Sequence, residues 1–131
     1  ADDAAAPVAQ TLSVQSVVAG TTNTAGTNLT ITGSQSTGSG AGGSIIFQTA
    51  AANSGGGATV QNTLANAMVI DSVKTVRLGT GYTVATLPAA GTAGRRTYVT
   101  DATAPTFLGT LTGGGAVVCP VFDNGTAWVS A

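Results

Sequence analysis

Side chains able to do acid–base or nucleophilic chemistry are scarce in this chain. Its carboxylates are Asp2, Asp3, Asp71, Asp101 and Asp123, with no Glu and no His. A glycosidase mechanism needs two carboxylates converging across a cleft, and the spacing of these five suggests no such pair. Asp71, Asp101 and Asp123 each adjoin turn-forming residues, where a carboxylate accepts hydrogen bonds from local backbone amides. The serines lack an imidazole to activate them, and one Cys without His cannot build a Cys/His metal site. The sequence therefore assigns no catalytic, cofactor-binding or metal-binding residue, and no enzymatic activity is expected.

Four short motifs remain. Gly38-Ser-Gly-Ala-Gly-Gly43 matches the dinucleotide fingerprint by letter, but that chemistry needs a helix directly after the glycines and an acid about 20 residues on. The residues that follow, Ser44-Ile-Ile-Phe, read as a strand, so the glycines are expected to form a corner or linker. Asp123-Asn-Gly-Thr-Ala-Trp128 partly resembles the Asp-box hairpin of sialidases and related β proteins. Val121 and Ala127 stand where that box carries hydroxyls. Asp123, Asn124, Gly125 and Trp128 are expected to form a structural hairpin, with Trp128 as a core anchor or, alternatively, a ring exposed for stacking on a sugar. Arg95-Arg96, the only basic cluster, reads as a solvated hairpin end or as a contact for an acidic receptor sugar or lipid. Arg95, Arg96 and Trp128 are thus the candidate receptor contacts. Asn28-Leu-Thr30 and Asn124-Gly-Thr126 are glycosylation sequons by pattern.

The elements that must position these residues are set by an unusual composition. Charged residues make up 7 % of the 131 residues, against roughly 25 % in an average soluble domain. The net charge of −1 provides no attraction for phosphate, so nucleic-acid binding is not expected. Hydrophobic residues reach 43 %, which excludes disorder driven by charge. Much of that fraction is Ala, and the chain has only six aromatics, so burial shared between subunits would relieve a shortage of large core side chains. The single Cys119 allows no internal disulfide and reads as a small buried apolar residue. No apolar run approaches the roughly 18 residues of a membrane span, and membrane insertion is not expected. The start, Ala1-Asp2-Asp3, lacks a signal peptide's basic and apolar regions and reads as an internal cut, a processed terminus or the visible end of a longer chain.

Helix patterns are nearly absent, the one plausible helical turn falling at residues 61–68. Short strands are expected at residues 11–18, 28–32, 44–49, 67–71, 75–78, 82–87, 96–100, 106–111, 116–122 and 126–130. The segment 44–49 carries Ile45, Ile46 and Phe47 together and could bury both faces. Gly55-Gly-Gly57 is expected to turn, and Asn124-Gly125 is the strongest hairpin signal because both residues tolerate positive φ. The expected fold is all-β. It divides into an N-terminal arm and first strand (1–27), a Gly-rich β shaft or prism-like region (28–80), and a small antiparallel β-sandwich or barrel-like module (81–131).

The stretch 82–101, with Arg96-Thr-Tyr-Val-Thr-Asp101, and the stretch 113–128, with Val121-Phe-Asp-Asn-Gly-Thr-Ala-Trp128, resemble the terminal module of tailed-bacteriophage structural proteins. Residues 28–71 are similar to the Gly-rich repeat region that often precedes it. The resemblance covers residues 28–128 and implies a homotrimeric tail fibre or spike, located in the virion, contacting other virion proteins and a bacterial surface glycan, with no cofactor. The alternative is that the same trimer stands on the capsid as a head fibre or decoration protein. A polysaccharide depolymerase fragment and a bacterial trimeric surface adhesin are weaker alternatives, the first opposed by the missing carboxylate pair.

Overall fold

The protein, in a computed structural model, is described over residues 7–52 and 61–131. The expected Gly55–Gly57 turn and the acids Asp2 and Asp3 lie outside these residues. The chain divides into two units, Ala1–Thr32 and Gly33–Ala131. In the first unit, residues 7–32 contain no strand, which corrects the expectation of strands at 11–18 and 28–32. Alternation makes an amphipathic strand only where a neighbouring strand completes the ladder, and none pairs here. Val8, Leu12, Leu29 and Ile31 are all exposed. Local order comes from a turn in which the Thr21 hydroxyl donates to the Val18 carbonyl at 2.9 Å.

The second unit opens with the glycine-rich stretch, which is a closed corner. The Gly43 N–H donates to the Ser34 carbonyl at 2.8 Å and Gly40 N–H to Thr37 at 3.1 Å. A Cβ on Gly33 would collide with the Gly43 carbonyl, and one on Gly43 would stand 2.6 Å from Ser34 Oγ. Glycine is needed because two backbones touch there. A strand follows and no helix, so the dinucleotide reading lacks its helix N-terminus.

That strand, β1 (Ile45–Ala50), pairs antiparallel with β2 (Leu64–Ile70), which pairs antiparallel with β3 (Val76–Leu78). The expected helical turn at 61–68 is therefore corrected: Met68, Val69 and Ile70 take the strand conformation that pairing with both neighbours rewards. Asp71 closes the β2–β3 turn. Its Oδ1 accepts the amides of Val73 at 3.1 Å and Thr75 at 3.0 Å, and its Oδ2 the Thr75 hydroxyl at 2.5 Å. The expectation that 44–49 buries both faces fails, since Ile46 is 51 % and Phe47 43 % exposed. Only Val69 of this sheet is fully buried.

The second sheet has the order β4 (Arg96–Ala102), β5 (Val117–Asp123), β6 (Trp128–Ser130), again antiparallel throughout. Its core is Val99, Ala102, Cys119 and Val121, with Val84, Leu87, Leu111 and Trp128 packed against it. Val99 lies opposite Cys119, and Thr97 opposite Val121. Cys119 is thus the small buried side chain its chemistry suggested, its thiol donating to the Pro120 carbonyl at 3.2 Å. Two expected strands are replaced by turns. Residues 82–87 form a single parallel bridge at Tyr82 and a short 3-10 helix, Val84–Thr86, because the Asp101 carboxylate takes the Val84 N–H at 2.7 Å and pulls the chain inward. Residues 106–111 turn where the Gly109 N–H donates to Thr106 at 2.7 Å and Leu108 adopts φ 58, leaving one bridge from Thr110 to Val129. Among the described residues the fold is all-β, with two small antiparallel three-stranded sheets and almost no helix.

Candidate functional site

The best-connected side chain is Asp123, at the end of β5. It is fully buried, and six bonds to donors converge on it. Oδ1 accepts from the amides of Gly91 at 3.3 Å and Gly125 at 2.8 Å. Oδ2 accepts from the amides of Gly91 at 3.0 Å and Thr92 at 2.9 Å, and from Arg95 Nε at 3.1 Å and Nη2 at 2.5 Å. The backbone is tied in as well, with Gly94 N–H on the Asp123 carbonyl at 2.8 Å and Asp123 N–H on the Arg95 carbonyl at 2.9 Å. Burial pushes this carboxyl up, but the Arg95 ion pair and the amides of Gly125, Thr92 and Gly91 outweigh it and hold it at about 2. A carboxylate so surrounded has no free lone pair to offer a substrate proton. It is a structural centre.

Trp128 sits on the same assembly. Its indole Nε1–H donates to the Pro88 carbonyl at 2.7 Å, and the Arg95 guanidinium lies 5.1 Å from the ring centroid, within cation–π range. Arg95 Nη2 also donates to the Ala89 carbonyl at 2.6 Å. One arginine therefore clamps three things: the Asp123 carboxylate, the Trp128 ring and the 88–92 loop. The hairpin beyond Asp123 is closed differently from the expected pair of positive φ angles. Only Gly125 has one, at 97, while Asn124 uses its side chain, Oδ1 accepting the amides of Thr126 and Ala127 at 2.9 Å each.

Arg95 and Arg96 adjoin in sequence but part in space. Arg95 is spent on Asp123 and is not a solvated hairpin end. Arg96 is exposed and faces Phe122 across the ladder; among the described residues no ion pair holds it. Both, together with Trp128, Tyr82, Thr49 and Asn66, line an open groove of about 600 Å³. The charged residues on this groove are arginines only. Among the described residues no group of three or more His, Cys, Asp or Glu is placed to hold a metal ion. No helix there is long and apolar enough to cross a membrane.

The sequence reading missed the partners that matter most. Pro88, Gly91 and Thr92 act through backbone groups and leave no side-chain signal. Arg95 had one: it has the parity of Thr97 and Val99 along the strand, and Val99 is fully buried, so an inward-facing cation was readable from alternation. Tyr82 is fixed by its backbone, donating to Tyr98 at 3.0 Å and accepting from Thr100 at 2.9 Å. The preceding Gly81 is required because a Cβ there would collide with the Tyr98 ring. Compared with known proteins, the chain matches no family model, no curated protein and no solved structure.

Proposed function

We propose that this chain is a structural protein of a bacteriophage virion, a homotrimeric fibre or spike whose first sheet belongs to a shared β shaft and whose C-terminal module contacts the bacterial surface. The observation that carries this reading is the imbalance between what the chain covers and what it leaves open. Among the described residues, six apolar side chains are buried and seventeen large ones are exposed, from Val8 and Leu12 to Phe107 and Val118. A surface so apolar and so poor in charge marks an interaction site rather than a monomer's exterior, and an assembly of identical chains removes it from water. The phage-like motifs of the C-terminal half supply the biological setting. Light scattering of the purified chain is expected to give the mass of three subunits at micromolar concentration, and a stable monomer would overturn the reading.

Contact with the host falls to the groove beside Tyr82 and Trp128. Of its two arginines, Arg96 is the one without an ion partner among the described residues. An acidic surface glycan fits a groove whose charges are all positive and whose walls include aromatic rings. Binding of purified surface polysaccharide is expected to weaken with salt and with Arg96→Ala. Unchanged binding in that variant would remove Arg96 from the contact.

A further inference from the structure

The turn between β5 and β6 holds the one Asn-Gly pair of the sequence, Asn124-Gly125. Such a pair can react with itself. The Gly125 nitrogen attacks Cγ of Asn124, and glycine offers no Cβ to hinder the approach. A bond forms between Gly125 N and Asn124 Cγ, the bond from Cγ to Nδ2 breaks, and Nδ2 leaves as ammonia with the proton from Gly125. Water then opens the five-membered imide. Hydrolysis at Cγ leaves aspartate in the ordinary chain, whereas hydrolysis at the backbone carbonyl leaves isoaspartate, joined to Gly125 through its side chain. The sequence of steps consumes one water and needs no cofactor.

In the folded hairpin both reacting groups are engaged elsewhere. The Gly125 N–H donates to Asp123 Oδ1 at 2.8 Å. Attack requires that nitrogen to give up its proton, and a carboxylate beside it disfavours the amide anion. The Asn124 side chain is pinned as well. Its Oδ1 accepts the Thr126 N–H, the Thr126 hydroxyl and the Ala127 N–H, each at 2.9 Å. Two of these donors are backbone amides, so the side-chain oxygen must face them. Moving Cγ onto the Gly125 nitrogen pulls Oδ1 off the donors that close the turn. Asp123 cannot drift to release Gly125, because Arg95 and the amide of Thr92 hold its other oxygen. We infer that Asn124 is a spontaneous deamidation site kept inert by the folded hairpin, with Asp123 guarding the attacking nitrogen, and that it converts when the hairpin opens. Isoaspartate adds a methylene to the backbone of a turn whose register sets Asp123 opposite Trp128. The hairpin then cannot reclose, and a transient opening becomes a permanent one. This inference stands on the hairpin alone and is independent of the assembled reading.

Incubating the full chain in mildly alkaline buffer, with and without denaturant, and following Asn124 by peptide mapping and isoaspartate detection tests it. The folded chain is expected to convert at least about tenfold more slowly than the denatured one, since only the opened fraction reacts. Equal rates would overturn the inference. Hydrogen exchange at the Gly125 amide is expected to be slow in the folded chain, and exchange at the unfolded rate would remove Asp123 as the guard. Chains converted to isoaspartate in denaturant and returned to native buffer are expected to lack the near-ultraviolet dichroism of Trp128 that briefly unfolded chains regain. Asn124→Asp, which reproduces the ordinary-chain product and keeps an acceptor at Oδ1, is expected to show that signal. Isoaspartyl chains that recover it, or an Asn124→Asp chain that lacks it, would overturn the role given to the added backbone atom.

Discussion

The two sheets of this protein have the same strand number and the same antiparallel order, yet they are held by opposite means. The β4–β6 sheet has its own core: Val99 and Val121 are almost wholly removed from water, and beside them the Asp123 carboxylate is buried with every acceptor site met. The β1–β3 sheet has backbone ladders, a turn staple at Asp71 and one buried valine. Hydrogen bonds alone contribute little net stability because water competes for both partners; what separates the sheets is burial. An aspartate at a turn does different work in each. Asp71 closes a turn at the surface, whereas Asp123 joins a hairpin, a loop and a tryptophan through Arg95.

The sharpest way to break that contrast is to remove Asp123. Asp123→Ala leaves Arg95 without its carboxylate and the amides of Gly91, Thr92 and Gly125 without their shared acceptor, and empties the space of a fully buried side chain. Unfolding of the C-terminal module well below the unmodified protein's melting temperature is expected, followed by Trp128 fluorescence. Melting unchanged would mean that the network is ornamental. Trp128→Ala should come next. The ring is half-buried and is the platform under Arg95, so the loss is placed at about 3 kcal/mol, the low end for truncating a large aromatic. Denaturant titration with a probe other than Trp128 measures it.

Acid produces a partial version of the first change. Asp123 has a carboxyl held at about 2, below its ordinary 3.8, so its contribution to stability is complete above the unfolded value and is lost as pH falls from about 4 through 2. Asp71 is also lowered, chiefly by the Thr75 hydroxyl and amide, and acts in the same direction. Stability of the C-terminal module is thus expected to be flat with respect to Asp123 above about pH 5 and to drop below about pH 4, the Asp71 effect being confined to the β2–β3 turn. In Asp123→Asn that acid-dependent drop should shrink. A smaller effect is expected from Gly81→Ala, where the new methyl meets the Tyr98 ring and the neighbouring chain must shift. Overpacking of this kind costs about 1–3 kcal/mol, and thermal melting would register it.

How much of this was legible depends on where the information sits. The all-β class, the β5–β6 hairpin and the turn role of Asp71 follow from short-range chemistry: glycine spacing, strand parity and the side-chain reach of Asp. The expectation of local amide partners fails for Asp101, whose carboxylate takes the amides of Val84 and Gly114 from distant loops. Residues 11–18 and 28–32 alternate like strands but pair with no strand among the described residues, because alternation encodes a face and says nothing of whether a neighbour exists. Residues 61–68 read as a possible helical turn because Ala and Asn are ambiguous locally, and pairing to β1 and β3 decided the matter. The Asp123 site was half-visible. Its hairpin was in the motif, but its donors at Gly91 and Thr92 are backbone groups more than thirty residues away in sequence, and no side-chain pattern announces them.

The smallest effect is expected from the residue that looks most like Asp123 on paper. Asp71→Ala removes two amide bonds and the Thr75 hydroxyl bond, but Val73 and Thr75 are exposed, so water takes over as acceptor. The turn also keeps its backbone bonds, Lys74 N–H to the Asp71 carbonyl and Asp71 N–H to the Thr75 carbonyl, each at 3.1 Å. The melting temperature of the C-terminal module should not move, and amide exchange should quicken only around residues 71–76. If Asp71→Ala instead destabilised the whole chain as strongly as Asp123→Ala, the first sheet's turn would matter as much as the second sheet's buried carboxylate. The distinction between a sheet with an internal core and a sheet with one buried valine would then collapse.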